Sequence, residues 1–256
     1  MKADEFFIGY APPMSPRLAR FVARTVFGLA CGALTWAATL AAGHVSLDGG
    51  TFEFGHPQRF TGTVIEHPYP ALRPEGASGN DASWLLLVAP GKHGADSIVR
   101  GLDRRQVSLM GTRIRRGAQT MIEIEPDTIG PVEGSKASAA AEDVPLDHLS
   151  GGRSVEVRGE IVDSKCFLGV MVPGSGKTHK DCAALCLRGG VPPALHVQDR
   201  FGHSAVLLLT GSAGEEIGAE YLQRAGEAID LTGVVHRQGG WLMMRSDPRF
   251  WRPVAR

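Results

Sequence analysis

The chain has 256 residues, of which 27 are basic and 27 acidic, so its formal net charge is zero. This balance excludes the strong overall field that favours nucleic acid or a strongly anionic partner. Its 33 glycines and 16 prolines favour short strands joined by turns over a helical bundle, and its four cysteines are too few for a disulfide-dense scaffold.

The first predicted element is a membrane-spanning helix. Residues 25–42 carry no charged side chain, and a helix of that length spans about 27 Å, close to the roughly 30 Å hydrocarbon core of a bilayer. We predict an N-terminal segment at residues 1–24 and a transmembrane helix at residues 25–43. A cleaved signal peptide is the alternative because the small residues between Thr39 and Ala42 resemble a cleavage site of the Ala-x-Ala type. A buried core helix is disfavoured because the stretch has no polar face.

Basic residues flank this helix unequally. Lys2, Arg17, Arg20 and Arg24 precede it, whereas the first basic residue after it is Arg59. The more basic side of a membrane helix stays in the cytoplasm. The sequence therefore predicts a single-pass protein of the cell inner membrane, with a cytoplasmic N-terminal segment and a periplasmic C-terminal body, and a cleaved signal would export the same body.

Two pairs of matching segments follow the helix. Val107–Gly117 matches Ile229–Gly239 at an offset of 122, and Phe60–Glu66 matches Val157–Asp163 at an offset of 97. Self-similarity of this kind indicates an internal repeat. The two offsets differ, so the second copy holds about 25 extra residues.

The repeat predicts the domain organisation. We expect a first β-barrel-like domain at residues 52–130, a linker rich in Ala, Ser and Gly at residues 131–152, and a second β-barrel-like domain at residues 153–252 that carries the insertion. The predicted fold class is mainly β, with two repeated small OB-like Greek-key barrels after the transmembrane helix. A β-sandwich is the alternative fold, and a chance match between two hairpins is the alternative to the repeat.

The insertion holds three of the four cysteines. Thr178 and Asp181 have the spacing of a capping box, and Gly189–Gly190 supplies a helix stop, which together predict a helix at about residues 179–188. Cys166 comes earlier, at the end of the preceding predicted strand.

Two chemistries are open to this cluster. His179, Cys182 and Cys186 share one face of the predicted helix, and Cys166 can reach that face. Three thiols and an imidazole suit a zinc, copper or iron ion. Alternatively, Cys166 forms a structural disulfide with Cys182 or Cys186, because thiols oxidise outside the cytoplasm. His196 is the only other histidine that we consider as an additional ligand.

Other familiar motifs are absent. Gly174–Thr178 looks like the end of a phosphate-binding loop, but Met171 stands where that motif requires glycine, so no nucleotide binding is expected. The sequence shows no Gly-x-Ser-x-Gly elbow, no His-Glu-x-x-His helix and no paired-acid constellation of the kind that catalyses proton transfer. No catalytic residue is predicted.

A group of residues in and around the insertion carries a resemblance. They are Gly159–Asp163, Lys165, Cys166, Gly176–His179, Cys182, Ala183, Cys186 and Gly189–Pro193. Over about 35 residues they resemble a cysteine-bearing module of uncharacterised bacterial membrane-anchored proteins. The resemblance implies no established activity. The first copy has Tyr69 near the place of Cys166 and lacks the insertion, which predicts a scaffold or docking role for that copy.

The sequence thus predicts a non-catalytic, membrane-anchored accessory protein. Its expected partners are the membrane, through residues 25–43, and a membrane protein complex such as a respiratory or metal-handling assembly, with neither nucleic acid nor nucleotide among them. The alternative function is that of a metal-binding or thiol-redox protein using Cys166, His179, Cys182 and Cys186.

Overall fold

The structure, a computed structural model, describes residues 14–45, 49–76, 83–132, 153–199, 201, 203–218 and 223–254. Nearly all of the predicted linker lies outside these residues. The chain divides into two units, Met1–Asp48 and Gly49–Arg256.

The described part of the first unit is a single helix, α1 (Pro16–Val45). Its stretch Pro16–Gly43 is the one described segment that is long and apolar enough to cross a membrane, which supports a single-pass anchor. The helix begins earlier than predicted because Ser15 caps it, accepting a 3.4 Å hydrogen bond from the Leu18 amide, and because proline suits the first helical turn.

Polar side chains inside α1 are satisfied within the helix. The hydroxyls of Thr25, Thr35 and Thr39 donate to the carbonyl oxygens four residues earlier, at 2.9–3.0 Å. Such internal bonds remove the cost of placing a hydroxyl in an apolar environment.

The second unit begins with a five-stranded barrel flanked by short strands. Its elements are β1 (Thr51–Phe52), β2 (Gln58–Ile65), β3 (Ala71–Pro74), β4 (Leu85–Ala89), β5 (His93–Gly94), α2 (Asp96–Val99), β6 (Gln106–Arg116), β7 (Gln119–Ile124) and β8 (Gly130–Pro131). The barrel closes because β2 pairs with β3 and β6, β3 with β4, β4 with β7 in parallel, and β7 with β6. Alternate residues of β2, including Phe60 and Val64, point into its core.

A second five-stranded barrel follows. Its elements are β9 (Arg153–Asp163), a π-helical turn (Cys166–Val170), a 3-10 turn (Lys177–His179), α3 (Lys180–Arg188), β10 (Pro193–Gln198), β11 (Ser204–Thr210), β12 (Ala228–Gln238), β13 (Trp241–Arg245), a 3-10 turn (Pro248–Phe250) and β14 (Arg252–Pro253). Here β9 pairs with β10 and β12, β10 with β11, β11 with β13 in parallel, and β13 with β12. The described chain is therefore mainly β, with two barrels rather than a sandwich.

Two-residue turns close the last hairpin of each barrel. Gly117 in the first turn and Gly239 and Gly240 in the second have φ angles of 58°, 53° and 76°. Tight hairpin turns require this left-handed region, which glycine enters without steric cost. A Cβ on Gly239 would also lie 2.1 Å from the Trp84 ring, so this turn packs directly on the first barrel.

The two barrels share a hydrophobic core. It contains Leu86, Val88 and Met121 from the first barrel and Leu208 and Trp241 from the second. Backbone and side-chain hydrogen bonds cross the same boundary, such as those from the Trp84 amide to the Gly239 carbonyl (2.8 Å) and from the Trp241 indole to the Trp84 carbonyl (2.9 Å). Cys166, Phe167 and Leu168 of the insertion belong to the same core, so the insertion is also held against the first barrel.

Candidate metal centre

Cys166 is positioned by the turn that ends β9. The Asp163 side chain accepts a 2.8 Å hydrogen bond from the Cys166 amide, which bends the chain immediately after the strand. The returning loop then passes against this turn at Gly174, where a Cβ would lie 2.6 Å from the Cys166 carbonyl oxygen. Only glycine permits that approach, and Cys166 is left 4% exposed.

The other three predicted ligands lie on α3 and the turn before it. The predicted helix is present at Lys180–Arg188, and its last turn is followed by Gly190 at a φ of 88°, as expected for a helix stop. The predicted Thr178–Asp181 capping box is wrong: His179 is the N-cap residue and no side chain caps the helix. The 3-10 turn Lys177–His179 continues into α3 and places Thr178 inside that turn.

The four predicted side chains converge. One ligand atom each from Cys166, His179 and Cys182 lies within 4.8 Å of the others, and the same holds for Asp163, Cys166 and Cys186. The Cys166 sulfur belongs to both groups, so it is the centre of the cluster. Cys166, Cys186 and His179 are buried, whereas Cys182 is half-buried.

The disulfide considered from the sequence is not formed. All four cysteines, including Cys31 in α1, are free thiols. The sulfurs of Cys166 and Cys186 are 3.9 Å apart, well beyond the roughly 2.05 Å of a disulfide bond. Sequence spacing along a strand and a helix brings two thiols near each other, but it does not fix the distance between their sulfurs to within about 2 Å.

Asp163 ties the two sides of the cluster together. One of its oxygens holds the Cys166 amide, and the other lies 2.9 Å from Nε2 of His179. Both side chains are almost fully buried. A carboxylate that accepts from one ring nitrogen fixes the orientation of a histidine, and in the neutral ring the other nitrogen, here Nδ1, is then an acceptor.

A lysine from the first barrel reaches the same cluster. Lys92 Nζ donates to the Cys182 sulfur at 2.7 Å. Its loop is held by Lys165, which is 1% exposed and whose ammonium donates to the carbonyls of Ala89 (2.8 Å) and Gly91 (2.6 Å). The centre is therefore completed by both barrels, although all its sulfur ligands belong to the second.

Sequence reasoning missed Asp163 and Lys92 as members of the site. Asp163 adjoins the insertion, and its position three residues before Cys166 was a usable signal for a turn-forming side chain. Lys92 lies 90 residues before Cys182, and nothing in its own neighbourhood marks it.

The electrostatic environment shifts the pKa values of the two buried thiols, Cys166 and Cys186, in opposite directions. Their mutual hydrogen bond raises the pKa of Cys166, and burial and the Asp163 carboxylate raise it further. The same hydrogen bond lowers the pKa of Cys186. The pKa of Lys92 is raised, first by its hydrogen bond to Cys182. The cluster thus favours negative charge on the Cys186 sulfur and the proton on Cys166.

The remaining candidates lie outside the cluster. The ring of His196 packs on Phe167 at a centroid distance of 4.7 Å, and burial lowers its pKa. His196 is not among the described groups of converging ligands. The stretch Gly174–Thr178, which looked like the end of a phosphate-binding loop, forms part of the turn before α3. Its Gly176 amide donates to the Glu160 carboxylate at 2.5 Å and so anchors that turn.

Comparisons with known proteins add no further identification. No protein-family model matches the chain, and no curated protein matches it significantly. The resemblance of the Gly159–Pro193 module therefore stays a prediction.

Proposed function

We propose that this protein binds one thiophilic metal ion on the outer side of a membrane, through Cys166, His179, Cys182 and Cys186. The observation that carries the proposal is the convergence on Cys166, whose sulfur lies within 4.8 Å of ligand atoms of His179 and Cys182 in one group and of Asp163 and Cys186 in another. Such a donor set is typical of zinc, copper(I) or iron centres.

Zinc fits the spacing of the buried sulfurs. Two sulfurs bound tetrahedrally, each about 2.3 Å from Zn²⁺, lie about 3.8 Å apart. The observed distance between Cys166 and Cys186 is 3.9 Å. Three thiolates and one imidazole complete a tetrahedron, which leaves no open position for water or substrate. A closed site suits a structural, storage or transfer role rather than hydrolysis.

Asp163 supports His179 as the nitrogen ligand. With Nε2 engaged by the carboxylate, Nδ1 would be the nitrogen that binds the ion, and the carboxylate would raise its basicity. Lys92 offsets part of the negative charge of three thiolates. The first barrel therefore contributes to the centre electrostatically rather than as a ligand.

The proposed location is the periplasmic side of the inner membrane. The basic residues ahead of α1 favour export of the body. That compartment oxidises free thiols, and an ion bound to three of them would protect them. This reconciles unpaired cysteines with an exported protein.

We also propose that the two barrels are OB-like and arose from an internal repeat. In support, both have the same pairing order with one parallel pair, and both ends of β12 lie 122 positions after those of β6. In the first copy the buried Tyr69 occupies the place of Cys166, and its hydroxyl donates to the Leu209 carbonyl at 2.6 Å. This contact suits a scaffold copy.

A metal-bearing, non-catalytic body displayed at the membrane fits an accessory subunit or assembly factor of a respiratory or metal-handling complex. The closed donor set favours this role because it leaves no position for a substrate. The protein would instead offer a partner either a rigid docking surface or the bound ion itself. The partner complex remains part of the proposal.

Zinc titration of the reduced, metal-depleted full chain in detergent tests the proposal. With a chromophoric competitor, we expect one zinc ion per chain. Cys182→Ser and His179→Ala should weaken binding by more than the roughly 10–100-fold typical of an outer-sphere partner. Cys31→Ser is the matched control, since that thiol lies in α1, and it should bind like the wild type. A chain that binds no zinc, or cluster variants indistinguishable from Cys31→Ser, would overturn the proposal.

A further inference from the structure

The three clustered thiols differ in their access to solvent. Cys166 and Cys186 are 4% and 1% exposed, whereas Cys182 is half-buried. Cys182 lies in the first turn of α3, where Lys92 donates to its sulfur. Of the three cysteines, Cys182 is therefore the one with appreciable access to solvent.

The thiols also differ in which partners they can bond. Cys182 and Cys186 are four residues apart on one helix, an arrangement poorly suited to a disulfide. Cys166 approaches from the other side, with its sulfur 3.9 Å from that of Cys186 and within 4.8 Å of that of Cys182. A disulfide from either pair requires the sulfurs to approach by about 2–3 Å, to roughly 2.05 Å. Cys166 is therefore the thiol placed to bond either helix thiol.

We propose that the metal-free cluster performs thiol–disulfide exchange, with Cys182 as the attacking sulfur and Cys166 as the resolving sulfur. The substrate class is a disulfide, R–S–S–R. The inference uses the sulfurs of the proposed metal centre but does not require the ion.

The exchange proceeds in two steps. The Cys182 thiolate attacks one substrate sulfur; the bond between Cys182 and that sulfur forms, the substrate S–S bond breaks, and the first R–S⁻ leaves. The Cys166 thiol then attacks Cys182 and its proton passes to the departing sulfur; the Cys166–Cys182 bond forms, the bond between Cys182 and the substrate sulfur breaks, and R–SH leaves. Two protein thiols are oxidised and one substrate disulfide is reduced to two thiols. Cys186 stays reduced and buried.

The test uses the metal-depleted full chain in detergent, in a Cys31→Ala background that removes the thiol of α1. The chain is incubated with oxidised glutathione, quenched by acid, alkylated and mapped by peptide mass spectrometry. We expect loss of two hydrogen atoms per chain, a peptide linking Cys166 to Cys182, and alkylation only on Cys186. A second arm replaces glutathione with an unfolded, disulfide-bonded protein and shows whether large substrates also react.

Two variants separate the steps. Cys182→Ser should block the reaction, and Cys166→Ser should accumulate glutathione on Cys182. The map of the parent chain decides the outcome even if Cys166→Ser does not fold. A Cys166–Cys186 disulfide formed equally well without Cys182, or no oxidation at all, would overturn the inference. Zinc binding without exchange removes only this inference, and exchange without zinc binding removes only the metal proposal.

Discussion

The ammonium of Lys165 locks the first barrel onto the cysteine cluster. It lies 2.5 Å from Glu123 and donates to the carbonyls of Ala89 and Gly91 in the loop that carries Lys92. Its side chain is 2% exposed and that of Glu123 is 19% exposed. Lys165→Met keeps most of the side-chain volume but removes the charge and all three contacts.

The expected cost of Lys165→Met is large. Removing one partner of a buried ion pair typically costs about 3–5 kcal/mol, because the other charge is left without compensation. Here two carbonyls lose their donor as well. Lys180 provides the matched control: it pairs with Glu227 at 2.7 Å, but its side chain is 43% exposed. Exposed pairs contribute about 0–1 kcal/mol, so Lys180→Met should be nearly neutral.

The assay is guanidinium unfolding of the full chain in detergent, followed by tryptophan fluorescence. Trp84 and Trp241 lie at the boundary between the barrels and report on their separation. We expect Lys165→Met to lower the free energy of unfolding by about 3–5 kcal/mol and the double variant Lys165→Met/Glu123→Gln to recover part of the loss. A loss no larger than that of Lys180→Met would show that the ammonium does not hold the barrels together.

Three further predictions concern the centre and its location. Asp163→Asn should weaken zinc binding about 10–100-fold, because His179 loses the carboxylate that orients it. The control Asp230→Asn, which removes an exposed pair with Arg158, should leave zinc binding unchanged. Equal affinities of the two variants in the competitor titration would refute the orienting role of Asp163. Because the pKa of Cys166 is raised, the ion must displace its proton, so the apparent Kd should rise at least about tenfold for each unit that pH falls between about 8 and 6. An affinity independent of pH would contradict this. A reporter fused after residue 50 should be active only if it is a periplasmic reporter, and a cytoplasmic signal would reverse the proposed topology.

Much of the fold follows from local pattern. The apolar run after Arg24 specified the N-terminal apolar helix, and the matched hairpins specified where β6, β7, β12 and β13 lie. Both signals depend on residues close in sequence, where periodicity and turn chemistry act directly. The start of α1 was placed too late because the Ser15 cap lies among charged residues that the apolar run does not include.

The site was only partly predictable for the same reason. The spacing of His179, Cys182 and Cys186 on one helix face is a local property, and their convergence with Cys166 follows from a short connection. The Lys92 contact depends instead on how two barrels dock, since it joins residues 90 positions apart. The expected disulfide is absent because the sulfurs are not close enough to bond. Bonded sulfurs and sulfurs that share one metal ion differ by only about 2 Å in separation, and the packing around Gly174 and Asp163 determines that separation.

X-ray absorption at the zinc edge tests the central claim most directly. The measurement uses the full-length, zinc-loaded chain and reads the identity of the atoms bound to the ion. The proposed centre predicts three sulfur neighbours at about 2.3 Å and one nitrogen neighbour at about 2.0–2.1 Å, with one sulfur lost in Cys182→Ser. A first shell of oxygen and nitrogen alone would contradict a metal centre at Cys166, His179, Cys182 and Cys186.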